Sequence, residues 1–269
     1  MDFKILYEDR NVLVVDKPAG IAVFQEIVNP NTLITDGRRL LKSDVKNKTL
    51  IDLLLQQYPE LKNVGKSPRY GIVHRLDKDT SGILLVAKNN ESLIFLQKQF
   101  KNRAVEKKYT ALVVGLIKDD SGTIETLIGR APKDKRKQKA YLPQDSNEQN
   151  LPAQAGKRLA ITNYEVVGRY ESPPLPRLRR VNKVYYTLLK VQIKTGRKHQ
   201  IRCHLSYIHH PIAGDKMYGF KDSPTPKGLT RQFLHASYLK ITSLDGTIKE
   251  FNSELPTELT NILSNLQII

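Results

Sequence analysis

A polar cluster that runs directly into an apolar segment constrains the fold of this chain more than any other feature. Residues 74–88 read HRLDKDTSGILLVAK, so that His74, Arg75 and Asp77 lie a few positions before the apolar run 83–87. This run has the length and the β-branched content of a buried strand. A buried strand requires a sheet around it, and the charged cluster must therefore lie where that strand begins.

Asp77 admits two interpretations from this stretch alone. Its carboxylate could cap a solvated turn or form a local ion pair before the strand. It could equally be an ionised group held for chemistry, because a carboxylate placed near a cation against a core strand is typical of a site that must keep it charged. The stretch itself leaves both interpretations open, and the rest of the chain has to decide between them.

The net charge is the unusual property of the composition. The chain has 44 Lys and Arg residues against 27 Asp and Glu residues, which gives a formal charge of +17. Such an excess favours a polyanionic partner, because each cation at a phosphate releases a condensed counterion. Nucleic acid is therefore the first expectation, and an anionic membrane surface is the second. The other proportions, 39% hydrophobic and 26% charged residues, are those of an ordinary globular protein.

Membrane and secreted proteins are disfavoured. No apolar run approaches the roughly 18 residues of a membrane-spanning helix, and the start of the chain lacks the pattern of a secretory signal. The single cysteine, Cys203, cannot form an internal disulfide, which agrees with a reducing compartment. We therefore expect a cytoplasmic protein that is not bound to a membrane. A chain of 269 residues is most simply one domain spanning 1–269.

The hydrophobic periodicity predicts both strands and helices. Residues 3–15 indicate two strands separated by a turn at 8–11, and further extended segments are indicated at 109–117, 123–128, 162–168, 184–193 and 234–241. Thr49 should cap a helix that ends at Pro59, a second helix should open at 89–91, and a third should begin near Pro256. Cofactor and metal motifs are missing. The segment GKS at 65–67 lacks the first glycine of a phosphate loop, and the four histidines between 199 and 210 lack metal-site spacing.

Five segments resemble, in the same order, the RluA-type family of pseudouridine synthases. They are VVDKPAGIAV, HRLDKDTSGILLVAK, KKYTALVVG, TGRKHQIRCHL with HPIAGDKMYG, and FLHASYLKI, and together they span nearly the whole chain. Lys198 departs from the family, which usually has Thr or Ser there. The resemblance implies an α+β fold with a mainly antiparallel mixed β-sheet, peripheral helices and a central cleft. Since Phe3 already begins the catalytic pattern, we expect no separate N-terminal RNA-binding domain.

The resemblance also implies an isomerase that needs no cofactor and no metal. The family detaches uracil from its ribose in structured RNA, turns it, and rejoins it through carbon 5. Asp77 is then the catalytic carboxylate, acting either as a nucleophile or by removing a ribose proton. By the same resemblance Arg202 is its partner, which offsets the cost of burying that charge. Tyr109 supplies a plane on which the flipped base can stack and a phenol near carbon 5.

Two more residues receive a role by resemblance. Arg75 is expected to fill or stabilise the place that the flipped base leaves, and Ile201 to form a wall of the uracil pocket. Ordinary structural interpretations exist beside the functional ones. Tyr109 could be a half-buried strand residue, Arg202 a structural ion pair and Ile201 plain core.

The expected partner is ribosomal or transfer RNA, bound by a protein that acts as a monomer. Two basic insertions, near 129–156 and 171–183, are expected to contact the RNA backbone without reading its sequence. The residues nominated for these contacts are Lys133, Lys135, Arg136, Lys137, Arg177, Arg179 and Arg180. The alternative is a catalytically silent RNA-binding or ribosome-assembly protein of the same fold. The set of Asp77, Tyr109 and Arg202 favours the enzyme.

Overall fold

The computed structural model describes residues 3–25, 48–142, 156–173 and 183–269. The chain divides into two compact units, the first within Met1–Ala104 and Thr242–Lys249 and the second within Val105–Ile241 and Glu250–Ile269. The organisation as a single catalytic domain over 1–269 stays a prediction. The nominated residues Arg177, Arg179 and Arg180 lie outside the described residues.

The first unit contains three antiparallel strands and two helices. Strand β1 (Lys4–Glu8) pairs with β2 (Val12–Lys17), and β2 pairs with β3 (Ser81–Ala87). The helices are α1 (Leu50–Gln57) and α2 (Asn90–Lys101). Every residue of β3 is buried, as the apolar run predicted, because β3 is packed on both faces. The polar cluster before β3 is thus attached to the least exposed strand of the unit.

The ends of α1 follow the predicted signals. The Thr49 hydroxyl accepts a hydrogen bond from the amide of Asp52, whose carboxylate accepts one from the Thr49 amide at 2.8 Å. This reciprocal capping box satisfies amides that have no partner inside the helix. Pro59 then opens a short 3-10 helix, Pro59–Asn63, instead of continuing α1. Both predicted boundaries of this helix are confirmed.

The second unit is a larger antiparallel sheet. Its strands are β4 (Glu106–Val114), β5 (Ser121–Arg130), β6 (Gln138–Tyr141), β7 (Arg158–Glu171), β8 (Tyr185–Ile193), β9 (Leu234–Thr242), β10 (Ile248–Asn252) and β11 (Gln267–Ile268), although Thr242 and residues 248–249 are grouped with the first unit. Their order is β9-β4-β8-β7-β5-β6, with β10 beside β9 and β11 beside β7. The helices α3 (Gln200–Tyr207) and α4 (Thr257–Ser264) accompany the sheet. Antiparallel strands with few helices confirm the predicted α+β class, whereas the central cleft stays a prediction.

Helix α3 is fixed by a small apolar cluster. Cys203 of α3 is buried with Ile128 of β5, Ala140 of β6, Ala160 of β7 and the later residue Tyr218. Burying apolar surface of this kind stabilises by about 25 cal/mol per Å². The small side chains at 140 and 160 let the helix approach the sheet closely. This packing determines where the other residues of α3 lie.

Strand β4 begins and ends three residues earlier than the periodicity indicated. The earlier end is explained by Gly115, which adopts a φ of +89° that only glycine takes up without strain. Its position is also crowded, because a Cβ there would lie 3.0 Å from the His210 ring. The strand therefore stops before Gly115.

Among the described residues, no helix has the length and apolar character needed to cross a bilayer.

Candidate active site

The loop that carries Asp77 is fastened by Lys17, whose side chain is completely buried. The Lys17 ammonium donates hydrogen bonds to the carbonyl oxygens of Pro18 at 2.8 Å, Ile21 at 3.0 Å and Lys78 at 3.0 Å. A buried ammonium is costly unless its donors are used, and three carbonyl acceptors use them. Since Lys78 directly follows Asp77, this contact fixes the backbone next to the carboxylate.

Backbone hydrogen bonds tighten the same loop. The amide of Gly20 donates to the Lys78 carbonyl at 3.0 Å, and the amide of Thr80 donates to the Asp77 carbonyl at 3.1 Å. Gly20 has a φ of +86°, a left-handed conformation that glycine adopts without strain, and the chain bends there. The segment VVDKPAG is therefore the support of the Asp77 loop, a role that sequence reasoning did not assign to it.

His74 connects the start of the polar cluster to β3. Its Nε2 accepts a hydrogen bond from the Leu85 amide at 3.0 Å, so Nε2 carries no proton. The ring also stacks on Phe100 of α2, with centroids 5.0 Å apart. A histidine held by both contacts anchors the loop to β3 and α2.

Arg75 is exposed, and Asp77 is half-buried. The Arg75 guanidinium lies 5.3 Å from the centroid of the buried Phe24 ring, and the Arg69 guanidinium lies 4.9 Å from the same centroid. Such cation–π contacts contribute about 0.5–1 kcal/mol at exposed sites. The aromatic ring thus supports two cations beside the Asp77 loop, and both remain accessible to a polyanion.

Tyr109 lies in β4 next to a β-bulge. Lys108 pairs with Tyr238 of β9, but Tyr109 pairs with Ala236, so Ser237 is an extra residue in β9. A bulge bends the strands locally and changes the direction of nearby side chains. Tyr109 is buried, with 7% of its surface exposed. The residue predicted to stack on a base is thus set into the sheet at an irregular point.

Lys107 is a candidate active-site residue to which the sequence analysis gave no role. Alternate residues of a strand point to the same face, so Lys107 and Tyr109 share one face of β4. Burial lowers the pKa of Lys107 to about 8. A Cβ added to Gly196 would lie 3.7 Å from its Nζ, so the amine reaches the start of the TGRKHQIRCHL segment. The two-residue spacing before Tyr109 was the available signal.

Arg202 forms a buried ion pair with Asp215. Its Nε donates to Oδ2 at 2.6 Å and its Nη2 donates to Oδ1 at 2.8 Å, while the Asp215 side chain is completely buried. Oδ1 also accepts hydrogen bonds from the amides of Met217 at 2.9 Å and Tyr218 at 3.0 Å. Burial alone would raise the pKa of Asp215, but the guanidinium and the amides outweigh it, and the pKa lies below its ordinary value.

Tyr218 lies beside this ion pair. The centroid of its ring is 5.1 Å from the Arg202 Cζ. Its hydroxyl accepts a hydrogen bond from the Gln138 amide at 2.7 Å and lies 3.0 Å from the His199 Nδ1. Burial raises the pKa of Tyr218 far above its ordinary value, so the hydroxyl stays protonated. Asp215 and Tyr218 both lie in the quoted segment HPIAGDKMYG, yet neither received a role from the sequence.

The predicted site residues divide between the two units. Arg75 and Asp77 share a loop of the first unit, whereas Tyr109 lies in β4 and Ile201 and Arg202 lie in α3 of the second. Ile201 is buried, with 5% of its surface exposed. The pairing of Arg202 with Asp77 and the roles of all five residues stay predictions.

The basic hairpin between β5 and β6 presents two exposed lysines, Lys133 and Lys135. Arg136 is exposed too, but its Nε and Nη2 donate to the Asp134 carboxylate at 3.0 and 2.9 Å. These hydrogen bonds lower the pKa of Asp134 to about 2. Lys137 is half-buried. Lys133 and Lys135 are therefore better placed for phosphate contact than Arg136, and the contacts themselves stay predictions.

The buried histidine of α3, His204, is held by two hydroxyl groups of the neighbouring strands. His204 is completely buried between the hydroxyls of Thr162, 2.8 Å from Nδ1, and Thr126, 3.0 Å from Nε2. Burial lowers its pKa to about 4, so the ring is neutral near pH 7. In the part of the chain that the structure describes, no three His, Cys, Asp or Glu residues are grouped to hold a metal ion. The expectation of a metal-free reaction stays a prediction.

Comparison with known proteins relates the chain to one group. A family model described as RNA pseudouridylate synthase matches residues 11–207. A protein of Aquifex aeolicus, named an uncharacterized RNA pseudouridine synthase, is 40% identical over 225 residues, 84% of this chain and 58% of that protein. The ribosomal large subunit pseudouridine synthase D of Pseudomonas aeruginosa is 34% identical over 278 residues, 99% of this chain and 72% of that protein.

A solved structure supports the same relationship. The human RNA pseudouridylate synthase domain containing 1 has a TM-score of 0.68 and 26% identity, and the match covers 100% of this chain and 89% of that one. The match with this chain spans 58% of the length of the A. aeolicus relative.

Proposed function

We propose, from the premise that this chain belongs to the RNA pseudouridylate synthase family, that it isomerises specific uridines in RNA to pseudouridine. We favour ribosomal RNA of the large subunit over transfer RNA as the substrate. Relatives in P. aeruginosa and Nitrosomonas europaea, similar over 99% and 98% of this chain, are named for that RNA. The alternative of a catalytically silent RNA-binding protein makes the opposite prediction for activity.

The fastened Asp77 loop is the observation that carries this proposal. An enzyme needs its reacting group within about 1 Å of the productive position, because larger errors cost about 100-fold in rate. Lys17 and Gly20 both donate hydrogen bonds to the carbonyl of Lys78, the residue after Asp77. Burying a lysine ammonium costs free energy, and a loop that served only as a turn would not need it. A protein that only binds RNA has no need to hold an acidic residue so firmly near RNA phosphates.

In the proposed reaction the bond from ribose to the ring nitrogen of uracil breaks, and a bond from ribose to carbon 5 forms. The hydrogen on carbon 5 leaves as a proton, and the freed ring nitrogen gains one. Asp77 acts on the sugar or the base, or removes a ribose proton, and Arg202 offsets its charge. Tyr109 stacks on the base and lies near carbon 5, Ile201 forms a wall of the pocket, and Arg75 fills or stabilises the place that the flipped base leaves.

Binding of the RNA backbone is assigned to the basic segments. Lys133 and Lys135 extend from the hairpin turn, where phosphates can approach them. The chain is proposed to act as a cytoplasmic monomer without cofactor or metal, as expected from the sequence.

The test compares Asp77→Asn with Asp79→Asn, a change of the same type in the same loop. The substrate is large-subunit ribosomal RNA transcribed with uridine tritiated at carbon 5, because the reaction releases that tritium to water. Asp77→Asn should lower the rate by more than about 1,000-fold and change the RNA Kd by less than about threefold. Asp79→Asn should retain the rate.

The opposing results are equally specific. Tritium release by Asp77→Asn at the wild-type rate would refute the assigned chemistry. A wild-type protein that binds but releases no tritium from ribosomal RNA or transfer RNA would instead support the silent RNA-binding protein.

A further inference from the structure

We propose that Asp215 is a positioning residue that orients the guanidinium of Arg202 for the reaction. This inference rests on the proposed function, in which Arg202 is the cation that serves the catalytic carboxylate. Asp215 itself contacts neither the base nor the sugar in this proposal. It acts through Arg202.

The geometry of the ion pair gives Asp215 this role. A guanidinium is planar and has two edges that can bind a carboxylate with two parallel hydrogen bonds. Asp215 occupies the edge formed by Nε and Nη2, at 2.6 and 2.8 Å. A second carboxylate can then be bound in the same way only along the edge formed by Nη1 and Nη2. The position of Asp215 therefore determines the direction in which Arg202 presents its remaining donors.

Asp215 is itself rigidly held. The amides of Met217 and Tyr218 both donate to its Oδ1, at 2.9 and 3.0 Å, and the side chain has no exposed surface. Such backbone donors do not rotate away, because they belong to the turn that follows Asp215. The carboxylate is thus a fixed reference point and not one partner of a mobile surface pair.

The Tyr218 ring restricts the guanidinium from another side. Its centroid lies 5.1 Å from the Arg202 Cζ, and its hydroxyl is bound by the Gln138 amide at 2.7 Å. His199, the residue before α3, lies 3.0 Å from the same hydroxyl. Backbone of β6 and the residue before α3 therefore hold Tyr218, and Tyr218 and Asp215 together hold the guanidinium of Arg202. A long side chain that would otherwise sample many rotamers is ordered before any RNA binds.

The charge of Asp215 matters as well as its shape. Its lowered pKa keeps it ionised, so that the buried arginine is neutralised and can stay in place. Asparagine has nearly the same shape, but its NH₂ group would face the Arg202 donors. Asp215→Asn should therefore accept at most one of the two hydrogen bonds and release the guanidinium from its fixed plane.

The first experiment measures single-turnover pseudouridine formation on large-subunit ribosomal RNA, together with the RNA Kd. Asp215→Asn should lower the rate by about 100-fold and change the Kd by less than about threefold. Asp120→Asn is the matched control, because Asp120 pairs with Arg169 at 2.8 Å on the surface of the same unit. This control should leave both quantities unchanged.

A double-mutant cycle separates positioning from general structural damage. Arg202→Lys keeps the positive charge but cannot form the two parallel hydrogen bonds with Asp215. If Asp215 acts through Arg202, adding Asp215→Asn to Arg202→Lys should lower the rate further by less than about threefold. An equal loss of about 100-fold in both backgrounds would overturn the positioning role.

Asp215→Glu keeps the question answerable if the asparagine variant does not fold. It retains the charge, so the variant should fold. It moves the carboxylate by one methylene, so its rate of pseudouridine formation should be at least about tenfold below that of the wild type. A folded Asp215→Glu variant with the wild-type rate would overturn the inference. Lack of activity in the wild-type protein would instead overturn the proposed function, and the Asp77→Asn comparison identifies that case.

Discussion

Replacing Lys17 by Met should show how much the fold depends on the support of the Asp77 loop. Methionine has a similar length and no charge, so the main change is the loss of the three hydrogen bonds that Nζ donates. The Lys78 carbonyl keeps the bond from the Gly20 amide, whereas the carbonyls of Pro18 and Ile21 lose their Lys17 donor. The loss therefore falls mainly on two carbonyl groups.

The expected loss of stability follows from the number of carbonyl groups that lose their donor. A buried polar group without a partner costs about 1–3 kcal/mol, so two of them cost about 2–6 kcal/mol. Removing the buried ammonium recovers part of this cost, because its desolvation penalty disappears. The net decrease in the free energy of unfolding should be about 2–4 kcal/mol. The decrease is measured by urea unfolding, followed by circular dichroism.

Activity should fall further than stability alone explains. Since Nζ binds the carbonyl next to Asp77, its loss lets the catalytic carboxylate move, and a displacement of about 1 Å costs about 100-fold in rate. The rate is measured under conditions in which the variant is still folded. Lys78→Met is the control, because the Lys78 side chain is exposed and its carbonyl is unchanged. Wild-type stability and rate in Lys17→Met would refute this reasoning.

Two further predictions concern pH and salt. Burial lowers the pKa of His204 to about 4, so below its unfolded value near 6.5 the unfolded chain binds a proton that the folded chain does not. Stability should therefore fall by about 2 kcal/mol from pH 7 to pH 5. Urea unfolding at pH 7 and at pH 5 measures this decrease in stability. His204→Gln should remove the part of the decrease that comes from His204, and an equal decrease in the variant and the wild type would contradict the prediction. Replacing Lys133 and Lys135 by Ala should reduce the slope of log Kd against log salt by about one to two. Lys227→Ala, the control, should leave this slope unchanged. If the variant of Lys133 and Lys135 has the same slope as the wild type, the hairpin is excluded from the RNA interface.

Much of the local structure could be predicted because it depends on neighbouring residues. The Thr49 cap binds Asp52 three positions away, and the apolar run before residue 88 forms the buried strand β3. The resemblance of five ordered segments is confirmed by the family match and by the relatives that cover almost the whole chain. These features need no knowledge of distant contacts.

Helix α3 shows why other features could not be predicted. Its residues from Gln200 to Leu205 are all buried, so the helix has no polar face that would reveal its period. Buried polar side chains are tolerated there because partners far along the chain satisfy them. His204 contacts Thr162 and Thr126, which are 42 and 78 positions away. Sequence periodicity contains no information about such partners.

The sequence by itself determined the family, the candidate carboxylate Asp77 and the strand that follows it. Only the tertiary structure decided which groups hold the site in place. Lys17 reaches a carbonyl 61 positions away, and Arg202 pairs with a carboxylate 13 positions further on. The physical reason is that a buried charge must find its hydrogen-bond partners in space. The folded chain selects those partners, and their separation along the sequence does not reveal them.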